Sequence, residues 1–183
     1  MATCRGRRKR PAHGASRGNR RVLSLIFENA NYANVGDATG LRGSSTAGVF
    51  YISLHTANPN ETGNQTTSEA AYTSYARVSV ARSTSGWSVA SGVADNDAQI
   101  AFPAATGGSE TETHFGIGSD SSGAGNLFLW GALTASLAVS NGITPSFAAG
   151  ALDVTLDLFW WLFPFAALFT AMCGASFGSA GLV

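Results

Sequence analysis

Charge is what this 183-residue chain has least of. Only 12% of its residues are Asp, Glu, Lys or Arg, about half the share of an ordinary soluble domain, so a fold stitched together by surface ion pairs is excluded. Cysteine is nearly absent. Cys4 and Cys173 are the only two, one near each end, and neither a disulfide framework nor a thiolate metal site can form within the body of the chain. Histidine is as scarce, and His13, His55 and His114 show no ligand spacing. The core must hold by packing.

What is present is unevenly distributed. The formal net charge is zero, yet eight of the eleven basic residues lie between Arg5 and Arg21. From Val22 to Asp157, eleven acids stand against three arginines (Arg42, Arg77 and Arg82), a net of −8, and residues 158–183 carry no charge. Three zones follow. Residues 1–21 form a basic arm without apolar periodicity, read as disordered and solvated or as an extension from a misassigned start, with contact to nucleic acid or an acidic partner surface the less favoured reading. Residues 22–157 form the folded body, and residues 158–183 an apolar tail. The acidic body argues against nucleic acid as a partner of the folded domain. The tail is long enough to cross a bilayer, but Pro164 interrupts it and no basic residue flanks it. Membrane insertion is therefore the disfavoured reading, beside burial against a partner or an extension outside the natural gene. The run VLSLIF after the arm is too short for a secretory signal.

The body reads as β apart from its first segment. Val22, Leu25, Ile26 and Tyr32 recur near helical spacing and predict one short helix over Val22–Tyr32. Val49–His55 alternates, with Phe50, Ile52 and Leu54 on one face and Tyr51, Ser53 and His55 on the other. Val78 and Val80, then Trp87 and Val89, continue that pattern, and Ser91–Ala98 reads as a turn. Gln99–Phe102 is a short strand stopped by Pro103. In Thr111–Ile117, Thr113, Phe115 and Ile117 share a face opposite Glu112 and His114. Leu127–Trp130, apolar on both faces, is expected at the centre of a sheet. Leu133–Val139 is a further strand, and Asn141-Gly142 is a hairpin signal. Leu152–Leu158 alternates Val154, Leu156 and Leu158 against Asp153, Thr155 and Asp157. About seven to nine short strands without a βαβ rhythm predict a mainly β fold, a jelly-roll-like antiparallel β-sandwich with one short N-terminal helix.

No catalytic, cofactor-binding or metal-binding residue is assigned. His55 and His114 fall on the polar faces of strands, where a solvated or hydrogen-bonded ring is the ordinary outcome. Gly14–Gly18 has the nucleophile-elbow spacing but lies in the arm, with no strand before it. Asp95-Asn96-Asp97 lacks the glycine and later glutamate of a calcium loop. The segment SDSSGAG (119–125) is followed by no lysine, so it is not a phosphate loop. Asp153 and Asp157 would stand ~13 Å apart along one strand, too far for an acid/base pair. Asn60 and Asn64 open glycosylation sequons that matter only in a secreted chain.

The phrases FENANYANVG, FYISLHTANPNETG, YARVSVARSTSGWSV, AQIAFPAATGG, THFGIGSDSSGAGNLFLWGALT and NGITPSFAAGALDVTLD run from about Leu25 to Asp157. Through them the chain resembles a group of small tailed-bacteriophage virion proteins, tail-fibre-like or akin to capsid decoration domains. The resemblance carries no catalytic residue. It implies a non-enzymatic structural protein of the virion, a capsid decoration (cement) or tail-fibre-like subunit. Such a subunit acts through contacts with major capsid or tail proteins. Homo-oligomerisation is expected, with a trimer the favoured state. The lack of heptads or fibrous repeats weighs against a long fibre. Two other readings stand beside it. One is a glycan- or receptor-binding module of a phage tail using Tyr51, Tyr72, Tyr75 or an exposed tryptophan. The other is a membrane-associated protein using the tail.

Overall fold

A computed structural model describes residues 15–33, 35, 43–157 and 172–174. The expectations for residues 1–14 and for most of the apolar tail lie outside the described residues. One helix, α1 (Ala15–Phe27), precedes ten strands: β1 (Val49–His55), β2 (Val78–Ala81), β3 (Trp87–Ala90), β4 (Val93–Asn96), β5 (Ile100–Ala101), β6 (Ser109–Gly118), β7 (Leu127–Ser140), β8 (Ser146–Phe147), β9 (Asp153–Asp157) and β10 (Met172–Gly174). Every pairing is antiparallel. The first sheet runs β2-β1-β6-β7, the second β10-β9-β4-β3, and β5 with β8 makes a small third. One core draws on both larger sheets and on α1, so the molecule is the mainly β, sandwich-like antiparallel fold with one short helix that the alternation predicts.

The helix starts at Ala15, inside the basic arm, and stops at Phe27, short of Tyr32. Asn19, Leu23 and Phe27 recur one turn apart on its buried side, which extends the amphipathic pattern back into the arm. Its end is set by Asn29, which takes the left-handed conformation at φ 58°, and by a 3.0 Å bond from Ala30 N–H to the Ser24 carbonyl. The Arg82 guanidinium then donates to the free carbonyls of Ile26 (2.5 Å) and Leu25 (2.9 Å), placing a cation where the helix dipole favours one. Phe27 packs on Trp87 of the second sheet and on Phe50 of the first, with ring centroids 4.7 Å and 5.4 Å away. Burying Trp87 alone contributes about 2–3 kcal/mol.

Four strand expectations are corrected. Residues 93–96, read as turn, form β4, held between β3 and β9. The two strands expected between 127 and 139 are one 14-residue strand, and it lies at the sheet edge rather than the centre. Its outward positions are mostly Ala, Thr and Ser, which tolerate solvent, while Leu129, Leu133 and Leu137 pack on the core. Asn141-Gly142 forms a turn closed by a 3.0 Å bond from Ile143 N–H to the Ser140 carbonyl, with Gly142 at φ 88°. It links no hairpin, because β7 pairs with β6 and β8 pairs with β5. Finally, β9 is not the last strand, since β10 pairs with it through Met172↔Asp157.

Candidate functional site

Along β1 and β6 the first sheet buries part of its outer face as well as its core face. Alternation along β1 puts Ser53 and His55 outward, yet both are 0% exposed, because residues 56–77 fold back over them. His55 Nδ1 lies 2.9 Å from the Thr67 carbonyl, which can only accept, so Nδ1 carries the proton. Nε2 is then the acceptor for the Ser53 hydroxyl at 2.8 Å. Burial holds the ring neutral, its pKa lowered below the usual histidine range. A serine hydroxyl donating to a neutral histidine is the first half of a nucleophilic pair. Both members of this pair are shielded from solvent.

The covering segment is fastened by Arg77. Its Nε and Nη2 donate to the two carboxylate oxygens of Glu69 at 2.6 Å and 2.7 Å, a bidentate geometry. Its Nη1 reaches the Asp120 carbonyl at 2.8 Å and Nη2 the Gly123 carbonyl at 2.7 Å. The glycine-rich 119–125 turn thus offers carbonyls to a cation, the opposite polarity to a phosphate loop. Gln65, fully buried, donates to the Asp120 carbonyl at 3.2 Å and accepts from its N–H at 2.9 Å. The lid fits only over glycine. A Cβ at Gly116 would stand 2.6 Å from Ser53 Oγ and 2.7 Å from His55 Nε2, and one at Gly118 would run into the Gln65 side chain.

A second buried polar group sits at the other end of β6. The β6–β7 register breaks between Glu112 and His114. The inward residues of β6 therefore change from Phe115 and Ile117 to Glu112 and Glu110, opposite Leu137 and Val139. Glu112, expected on the outer face with His114, is 0% exposed, and neither carboxylate oxygen has a hydrogen-bond partner. Burial, and then the neighbouring Glu110 carboxyl, push its pKa up to about 8. Glu110 Oε1 accepts the N–H groups of Ala71 (2.9 Å) and Tyr72 (2.7 Å). Burial, with Glu112 and Glu110 beside it, raises the Tyr72 phenol to about 12. Nothing in a single sequence marks a register break, and so nothing marked Glu112.

The remaining candidates are placed as follows. His114 is part-exposed, with Nδ1 2.8 Å from Thr113 Oγ1, whose own hydroxyl donates to the Thr56 carbonyl. His13 and Gly14 fall outside the described residues, and Ala15–Gly18 form the first turn of α1. Asp95 and Asp153 pair directly across β4 and β9, where burial and neighbouring negative charge raise both. Asn64 Oδ1 accepts from Thr66 N–H at 3.0 Å and Thr66 Oγ1 at 2.7 Å, so this sequon serves as an Asx turn. Tyr72 and Tyr75 turn inward, their hydroxyls donating to the Pro103 carbonyl and to Glu69. Among the described residues no group of three His, Cys, Asp or Glu could hold a metal, and no helix is long and apolar enough to cross a membrane. A shallow groove beside β2 and β5, lined by Val78–Ala81, Ser85, Gly86 and Ala98–Ile100, holds no titratable side chain. Among the described residues the most exposed large apolar side chains are Phe128 at 49% and Val49 at 42%. Phe128 stacks on Phe50 with centroids 6.0 Å apart and planes 3° from parallel.

No curated protein matches the chain. Residues 27–155, from the last residue of α1 through most of β9, match the family model described as Podophage GP4 fiber I protein gp80. The match spans well over half of the sequence, and the chain belongs to that family of phage fiber proteins, components of the virion.

Proposed function

We propose that this chain is a non-enzymatic subunit of the phage tail fibre, working as a homo-oligomer, a trimer being the favoured state, through contacts with other virion proteins. The observation that carries the reading is the family match over residues 27–155, which covers the β fold and stops short of the apolar tail. The site geometry supports it. Ser53 and His55, the one pair with nucleophile-and-base geometry described above, are sealed beneath residues 56–77. The side chains the domain offers outward are small and uncharged along β7, with Phe128 and Val49 among them on the same sheet. Such a surface suits protein contacts, and the net of −8 over residues 22–157 does not suit nucleic acid. On this reading the β body, with α1 packed on its core and β10 paired to β9, is the working unit.

Labelling the chain in purified particles and imaging them by electron microscopy tests this. Label on the fibres is expected. Label distributed over the capsid would replace the fibre with a decoration role, a second reading favoured by the absence of heptads and fibrous repeats from the sequence. Absence from the particle would sink both.

A further inference from the structure

We propose that Glu110 and Glu112 form a proton-operated latch, in which the proton held by Glu112 keeps residues 69–76 fastened to β6 and its loss releases them. The geometry supplies each part. Glu112 is wholly buried on the core side of β6 with both oxygens unpartnered, a placement tolerable for a neutral carboxyl and costly for an ionised one. Glu110, two residues away on the same side, is the acceptor for the backbone N–H groups of Ala71 and Tyr72. The Glu110 carboxyl is therefore what holds the segment, and a negative charge gained by Glu112 beside it is what would expel one of the two. The groups facing the pair are few. The 69–76 segment brings Tyr72, whose hydroxyl is engaged with the Pro103 carbonyl. The 103–108 turn and the whole of β7 bring no titratable residue. Arg77, at the base of the segment, is committed to Glu69 and to two carbonyls. Glu112 has no counter-ion to keep it in place once charged.

The register break gives the latch its hinge. It is where β6 changes which residues look inward, so Glu112 can turn out without unpairing Phe115 and Ile117. With the Glu112 carboxyl pushed up to about 8, release falls just above neutrality. The Tyr72 phenol, raised to about 12, keeps its proton there.

The full chain, labelled with carbon-13 at glutamate carboxyls, reads the titration directly while hydrogen exchange is followed at Ala71 and Tyr72. The expected result is a Glu112 carboxyl midpoint above pH 7. Protection at both amides should fall at least tenfold with the same midpoint, after correction for the intrinsic pH dependence of exchange. In Glu112→Gln the drop in protection should vanish. A Glu112 midpoint in the ordinary carboxyl range overturns the proposal. So does a raised midpoint with unchanged protection at Ala71 and Tyr72. The wild-type titration needs no variant, so a misfolded Glu112→Gln cannot obscure the outcome.

Discussion

On the outer face of the first sheet the buried polar side chains around Arg77 all have partners, whereas at the other end of β6 Glu112 has none. Both groups sit under the same covering segment, residues 56–77, and both are shielded from water. The difference lies in what each neighbour can donate. Around Ser53, His55, Gln65 and Arg77, donors and acceptors match, and the cluster acts as a second, polar core. Around Glu112 the sequence supplies Glu110, Tyr72 and aliphatic side chains, so balance requires a bound proton. Buried polarity adds rigidity in the first case and pH sensitivity in the second.

The comparison breaks most severely at Arg77. Arg77→Ala strips Glu69 of its bidentate partner, leaving it the Tyr75 hydroxyl, and takes one donor from the Asp120 carbonyl and the guanidinium donor from Gly123. Removing one partner of a buried pair costs about 3–5 kcal/mol, measurable by denaturant unfolding at pH 7. Arg77→Lys should recover less than half of that, since an ammonium cannot make the bidentate contact.

The two clusters should also titrate in opposite directions. Glu112 has its folded pKa raised from 4.5 to about 8, so its contribution is full below 4.5 and is lost as the pH rises through 8. His55 has its folded pKa lowered from 6.5, so its contribution is full above 6.5 and is lost as the pH falls through the folded value. Stability should therefore peak between the two limbs. Glu112→Gln should match the wild type near pH 5 and exceed it by roughly 2–4 kcal/mol at pH 9, because each tenfold change in proton affinity is worth about 1.4 kcal/mol. The acidic limb set by His55 should stay. Unfolding midpoints across pH 4–10 check both limbs, and a Glu112→Gln curve parallel to the wild type would refute the assignment.

A smaller effect sharpens the contrast between fitted and open surfaces. Gly118→Ala forces a methyl into the Gln65 side chain, an overpacking cost of about 1–3 kcal/mol. Gly48→Ala, with nothing within 4 Å of the added carbon, should be close to neutral. Equal effects at the two positions would mean that the covering segment moves aside freely.

How much of this the sequence could show depends on whether the determinant is local. The alternation of β1, with Phe50, Ile52 and Leu54 on one face, is local and predicts that face correctly. The strand β4 is not. Asp95 and Asn96 are turn-forming residues by propensity, and pairing with β3 and β9 overrides them. Asn96 is then used twice, donating to the Ala98 and Ala148 carbonyls and accepting from Ala151 and Leu152. The run Thr56–Ser74 reads as a long polar loop because its composition is that of one. Its docking over β1 and β6 depends on Arg77 finding Asp120 and Gly123, more than forty residues on. Glu112 was legible as a strand residue, but a strict period of two puts it outside, and only the irregular β6–β7 register turns it in.

The smallest stability effect belongs to Phe128, and it separates folding from assembly. Phe50 lies between Phe128 and the buried pair Phe27 and Trp87, so it is tied into the core while Phe128 caps the stack from outside. With Phe128 half exposed, Phe128→Ser gives up little buried area, and the loss on unfolding should stay below about 1 kcal/mol. Phe50→Ser removes a side chain packed on both sides and should cost about 3 kcal/mol or more. If the exposed ring contributes to the contacts of a homo-oligomeric subunit, Phe128→Ser should weaken self-association at least tenfold with the monomer's unfolding nearly unchanged. Light scattering across a concentration series, beside denaturant unfolding, measures the two separately. Unaltered association in Phe128→Ser would move the contact surface away from this edge of the sheet, while a large loss of stability would make Phe128 a core residue in spite of its exposure.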